Sequence, residues 1–87
     1  MNKFSYVYVL RRRKDGDLYT GYTSDLRKRF EEHQSGAVQS TKNRLPVELV
    51  YYEACLSQAD ATKREKYLKT AWGKRYLKSR LANYLTG

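Results

Sequence analysis

Two tyrosine triads, Tyr6-Val7-Tyr8 and Tyr19-Thr20-Gly21, flank a short basic turn and are followed by a segment that carries Arg29 and His33. Phenol, guanidinium and imidazole groups are thereby brought together on a framework too small to hide polar side chains without a purpose. An imidazole can take a proton from a phenol. A guanidinium offers a planar, permanently charged fork that fits the non-bridging oxygens of a phosphate, a geometry lysine does not reproduce. Further along, Glu65 adds a carboxylate.

These groups need elements to aim them. Ser5 to Leu10 is rich in β-branched and aromatic residues, Leu18 to Tyr22 is a second short run, and Asp15-Gly16 supplies turn chemistry, which together predict a β-hairpin. Its tip carries Arg11, Arg12, Arg13 and Lys14. Thr23, Ser24 and Asp25 are N-cap types, and Leu26, Phe30 and His33 then fall at i, i+4 and i+7, a helical stripe that Gly36 terminates. Arg29 lies on the same stripe, so it faces the sheet or its edge instead of open solvent.

Gly36 to Arg44 is polar and without period, and reads as a surface loop. Pro46 opens a third strand, Val47 to Glu53. Ser57 and Asp60 resemble a capping box with a shorter acid, starting a helix whose stripe is Ala61, Leu68 and Trp72, with Glu65 at i+4. Trp72 is thus expected in the core and not on the surface, and Gly73 is expected to end this helix. Tyr76, Leu77, Arg80, Leu81, Tyr84 and Leu85 define a further basic helix over about 74–85. The order β-β-α-β-α-α, with one helix between the second and third strands, predicts an α/β (α+β) fold: a small three-stranded mixed sheet flanked by about three helices.

A chain of 87 residues is read as one domain, 1–87, and such a domain buries only about 60–65% of its unfolded surface. Each ionisable group on an inward face is then a noticeable cost. Eighteen Lys and Arg against nine Asp and Glu give a formal charge of +9, which points to polyanionic partners. No stretch approaches the roughly 20 apolar residues of a spanning helix and no signal-type apolar run is seen, so no membrane association and a cytoplasmic location are expected. With one histidine and one cysteine, no Cys/His zinc site can be assembled. Cys55 follows the apolar run Val47 to Ala54 and reads as a packing residue.

The residues alone leave two readings open. Arg29 and Glu65 form a buried ion pair with His33 as a satisfied core histidine, or the three belong to a site. The pattern resembles the GIY-YIG nuclease family, in which a GIY-like triad on one strand and a YIG-like triad on the next precede a helix with a characteristic arginine. Tyr6-Val7-Tyr8 and Tyr19-Thr20-Gly21 stand for the triads, Leu26 to Phe30 and His33 for the helix, and Arg64-Glu65-Lys66 for the place of the metal-binding glutamate. Tyr6 stands where the family has glycine and Thr20 where it has isoleucine. The resemblance covers about 4–72 and is greatest to small single-domain bacterial members related to excision-repair and structure-specific endonuclease domains.

The resemblance implies a metal-dependent endonuclease acting on phosphodiesters in DNA, in repair or recombination. It implies Tyr8 as general base, Tyr19 on the phosphate or the water, Arg29 on the phosphate oxygens, and His33 as an alternative acceptor of the phenol's proton. Glu65 is then the ligand of one divalent ion, Mg²⁺ or else Mn²⁺, and Gly21 is a structural position that admits close approach. Arg11, Arg12, Arg13, Lys14, Lys42, Arg44, Lys63, Lys74 and Arg75 are candidate nucleic-acid contacts. The rival readings are a non-catalytic nucleic-acid-binding module and an adaptor within a larger repair complex, where a protein partner supplies substrate choice.

Overall fold

The computed structural model describes residues 3–86, the side chain of Arg44 excepted. Strands β1 (Ser5–Arg12) and β2 (Leu18–Thr23) form the expected hairpin, followed by helix α1 (Leu26–Gln34), a 3₁₀ turn (Lys42–Arg44) and strand β3 (Val47–Cys55). Helices α2 (Gln58–Leu68), α3 (Ala71–Arg80) and α4 (Ala82–Thr86) complete an α+β body of 38 × 29 × 20 Å. The caps fall where the sequence places them. The side chains of Asp25 and Ser57 accept from the backbone N–H groups of Lys28 and Asp60, satisfying donors that a helix start leaves open.

The sheet order is β2-β1-β3 and both pairings are antiparallel, so the expected mixed sheet is corrected. The crossover through α1 does make β2 and β3 run the same way, but β1 lies between them and no parallel ladder forms. Alternation along β1 splits the core. Val7 and Val9 join Ala61, Leu68 and Leu77 on one face, while Tyr8 and Leu10 meet Val47, Leu26 and Phe30 on the other. A register shift opposite Val9 and Leu10 leaves Val50 unpaired beside Tyr51, and both then pack toward α2 and α3, as a bulge permits. Cys55 is half-buried against this core.

Two expectations at the α2–α3 junction are overturned together. Gly73 lies inside α3, not at the end of α2, because Thr70 begins a new helix by accepting from the Gly73 N–H. The break rotates the apolar stripe, so Gly73 is buried while Trp72 is 66% exposed, with the Arg75 guanidinium 5.0 Å above its ring. A Cβ on Gly73 would stand 2.7 Å from the Leu68 carbonyl carbon, and closer to the Tyr67 carbonyl oxygen. Helix propensity favours Ala over Gly by about 1 kcal/mol; backbone overlap outweighs it. On β3, Glu53 receives Nε and Nη2 of Arg64 at 2.8 and 2.9 Å, and the Arg64 guanidinium lies 5.4 and 4.9 Å from the Tyr67 and Tyr76 ring centroids. This clamp ties α2 and α3 to the sheet. Gly73→Ala should lower stability by about 2–3 kcal/mol, read as a fall in the thermal unfolding midpoint.

Candidate active site

Tyr8 sits on the central strand, directly opposite Gly21 on the edge strand. Its ring crosses that glycine: a Cβ there would lie 2.5 Å from the phenol Cζ and closer to its oxygen. Gly21 is therefore the gap through which the phenol reaches the sheet edge, for a reason of space and not of backbone freedom. Asp25 starts α1 so that Arg29 and His33, four residues apart, lie one turn apart on the same face. That face meets the phenol.

The hydroxyl of Tyr8 is 2.7 Å from His33 Nε2 and receives Arg29 Nε at 3.4 Å. His33 is fully buried, and its other nitrogen, Nδ1, lies 2.6 Å from Thr41 Oγ1. The rings of Tyr8 and Tyr19 each meet the imidazole edge-on, at 5.5 and 5.4 Å between centroids. The Tyr19 hydroxyl accepts from Ser40 Oγ at 3.1 Å. Tyr8, Tyr19, Arg29, His33 and Gly21 are thus brought into one cluster. Thr41 and Ser40 belong to it as well, and they come from the segment read as a surface loop. No periodicity marks them; the only signal is that a buried imidazole needs a partner on each nitrogen.

The buried ion pair between Arg29 and Glu65 is not present. Arg29 Nη1 pairs with Glu32 at 3.2 Å, and Glu65 pairs with Lys69 at 3.1 Å. Glu65 approaches from α2, which packs on the opposite sheet face, and its charge still acts on the Tyr8 phenol. No group of three His, Cys, Asp or Glu side chains gathers into a metal cage among the described residues. A single largely covered carboxylate whose charge reaches the Tyr8 phenol fits Mg²⁺, an ion that keeps several waters and takes further ligands from substrate phosphate.

Burial raises the Tyr8 phenol above its usual range, aided by the fields of Tyr19 and Glu65, and prevails over the hydrogen bond and charge of Arg29. Burial, then the Arg29 charge, lowers His33. A deprotonated phenol already costs about 4 kcal/mol at neutral pH when unperturbed, and here it costs more. A neutral imidazole touching the hydroxyl is the cheaper route for the proton.

The hairpin cations are mostly engaged. Arg12 grips Asp15 through a fork and reaches Asp17, while Arg11 and Arg13 lie 3.6 and 3.5 Å from Glu48. Lys14, Lys42, Lys63, Lys74 and Arg75 are exposed; the Arg44 side chain lies outside the described residues. A cleft of about 580 Å³ leads from Tyr19 along the hairpin turn and past Lys69, Lys74 and Lys78. On the other flank a hollow holds Tyr22, Lys28 and Arg29. No helix among the described residues is long and apolar enough to cross a membrane.

The profile described as the GIY-YIG catalytic domain matches residues 4–84, and the chain belongs to this family. Within it, the chain is similar to UPF0213 proteins. That of Staphylococcus saprophyticus is 46% identical over 66 residues, 75% of this chain and 79% of that protein. That of Haloquadratum walsbyi is 39% identical over 71 residues, 80% and 79% of the two. The solution NMR structure of the UPF0213 protein from Bacillus halodurans is 38% identical, with a TM-score of 0.54 over 87% of this chain and 83% of that one.

His33 gives a pH signature. Its folded pKa lies below the ordinary 6.5, so on acidification the unfolded chain takes up the proton first. The stability this contributes is complete above about pH 6.5 and declines below it, as pH falls toward the folded value. Thermal midpoints from pH 7.5 to 5.5 should fall in the wild type, and the slope should be shallower in His33→Gln.

Proposed function

We propose that this protein is a metal-dependent endonuclease that hydrolyses phosphodiester bonds in DNA, in repair or recombination. The observation that carries the reading is the hydrogen-bonded set of Tyr8, His33 and Arg29, delivered over Gly21 to the sheet edge, with the charge of Glu65 reaching the phenol from α2. Family membership supports it. Lys74 and Lys78, along the cleft beside Tyr19, support a polyanionic substrate.

Tyr8 takes a proton from the attacking water as its own proton passes to Nε2 of His33, so no free phenolate forms. Arg29, only partly covered, turns its fork to the non-bridging oxygens of the attacked phosphate. Tyr19, held by Ser40, orients the phosphate or the water. Glu65 would hold the divalent ion, which would supply Lewis-acid neutralisation of the phosphate. The carboxylate must then exchange Lys69 for that ion. Lys14, Lys42, Lys63, Lys74 and Arg75 contact the backbone of the nucleic acid. Arg11, Arg12 and Arg13 contribute only if they leave their carboxylates, and Arg44 remains a candidate by sequence.

Single-stranded, duplex, flap and branched DNAs should be incubated with Mg²⁺ or Mn²⁺ and the purified wild type. Metal-dependent nicking is expected, and folded Glu65→Ala, Arg29→Ala and Tyr8→Phe should each lose about 100-fold or more. Gly21→Ala removes no reactive group, yet it should lose activity comparably because the phenol is displaced. Wild-type turnover by folded Glu65→Ala would sink the metal assignment. Binding of every substrate with cleavage of none would favour a non-catalytic module or an adaptor.

A further inference from the structure

His33 and Thr41 are both fully buried, so no solvent competes for the 2.6 Å contact between Nδ1 and Oγ1. Thr41 occupies the N-cap position of the 3₁₀ turn, where a threonine side chain ordinarily accepts from the turn's backbone. Here its hydroxyl makes no capping bond and is given to the imidazole instead. The loop is pinned to deliver it: Val38 is buried, and the Thr41 N–H donates to the Val38 carbonyl at 3.1 Å.

The direction of the chain follows from its donors. Arg29 Nε–H can only donate, and it points at the Tyr8 oxygen. The proton of that buried hydroxyl has one acceptor among the described residues, Nε2 of His33. A neutral imidazole that accepts at Nε2 carries its hydrogen on Nδ1, and that hydrogen then points at Thr41 Oγ1. Each orientation leaves one buried hydroxyl hydrogen without an acceptor among the described residues, that of Thr41 or that of Tyr8; the phenol is the more acidic of the two and the stronger donor, so its hydrogen takes the imidazole nitrogen.

We propose that Thr41 is a positioning residue that receives the Nδ1–H of His33 and so holds the ring with Nε2 facing the Tyr8 hydroxyl, open to its proton. The consequence for turnover rests on the nuclease reading above; the tautomer itself does not. When the relay runs, the O–H bond of Tyr8 breaks toward Nε2 while the phenol oxygen gains the water's proton. The imidazole becomes a cation whose Nδ1–H remains on Thr41.

His33 is the only histidine in the chain, so protein labelled with ¹⁵N,¹³C-histidine gives one imidazole signature. At pH 7.5 the wild type is expected to show a protonated Nδ1 and an unprotonated Nε2. Thr41→Val, nearly equal in shape, should shift the Nδ1 resonance by removing its hydrogen-bond acceptor, and Thr41→Ser should restore the wild-type pattern. In nicking, Thr41→Val should lower kcat about 10–100-fold with little change in KM, and Thr41→Ser should recover it. An Nε2–H tautomer in the wild type overturns the proposal, as does a folded Thr41→Val with the wild-type imidazole spectrum and full kcat. Should Thr41→Val not fold, the wild-type spectrum and Thr41→Ala decide the same point. A wild type that shows the expected tautomer but cuts no DNA overturns the nuclease reading and leaves the role of Thr41 in holding the ring intact.

Discussion

A phenol oxygen buried on the middle strand of a sheet must be hydrogen-bonded or it costs about 1–3 kcal/mol, and Tyr8, only 2% exposed, is such a group. Its neighbourhood is organised by that need. The edge strand omits a side chain at Gly21 so that the ring can cross it. Helix α1 is phased so that one turn supplies both a donor, Arg29, and an acceptor, His33. The imidazole, buried in its turn, passes the requirement on to Thr41, and the segment after α1 folds inward to meet it. A domain with little core to spare spends part of it on a chain of four polar groups.

What was legible in the sequence was what local rules govern. Asp25 and Ser57 cap where their types predict, because capping depends only on the residues within the first turn. The hairpin, the order of elements and the stripe bearing Arg29 and His33 follow from period and turn chemistry. The convergence of Tyr8, Tyr19, Arg29 and His33 was legible because the two triads fix the strand register and the cap fixes the helix phase.

The misses are places where a distant contact decides. Trp72 falls on a stripe only while α2 continues, and Thr70 breaks it; Gly73 is small because Leu68 presses against it, not because a helix ends there. Strand order cannot be read from a crossover helix, so β1 entering between β2 and β3 removed the parallel pairing. Thr41 lies in a stretch without period, and its partner is in another element. The ion pair imagined between Arg29 and Glu65 gave way to nearer partners, Glu32 and Lys69, three and four residues along their own helices.

The net charge of +9 overstates what the hairpin turn presents, because Glu48, Asp15 and Asp17 neutralise much of it. Lys69, just after α2, and Lys74 and Lys78 of α3 line instead the cleft that starts at Tyr19. The long axis of the body, 38 Å, spans about eleven base steps at about 3.4 Å each. A body of that length matches roughly one helical repeat of a duplex, so a backbone grip of the kind proposed above would be confined to about a single turn.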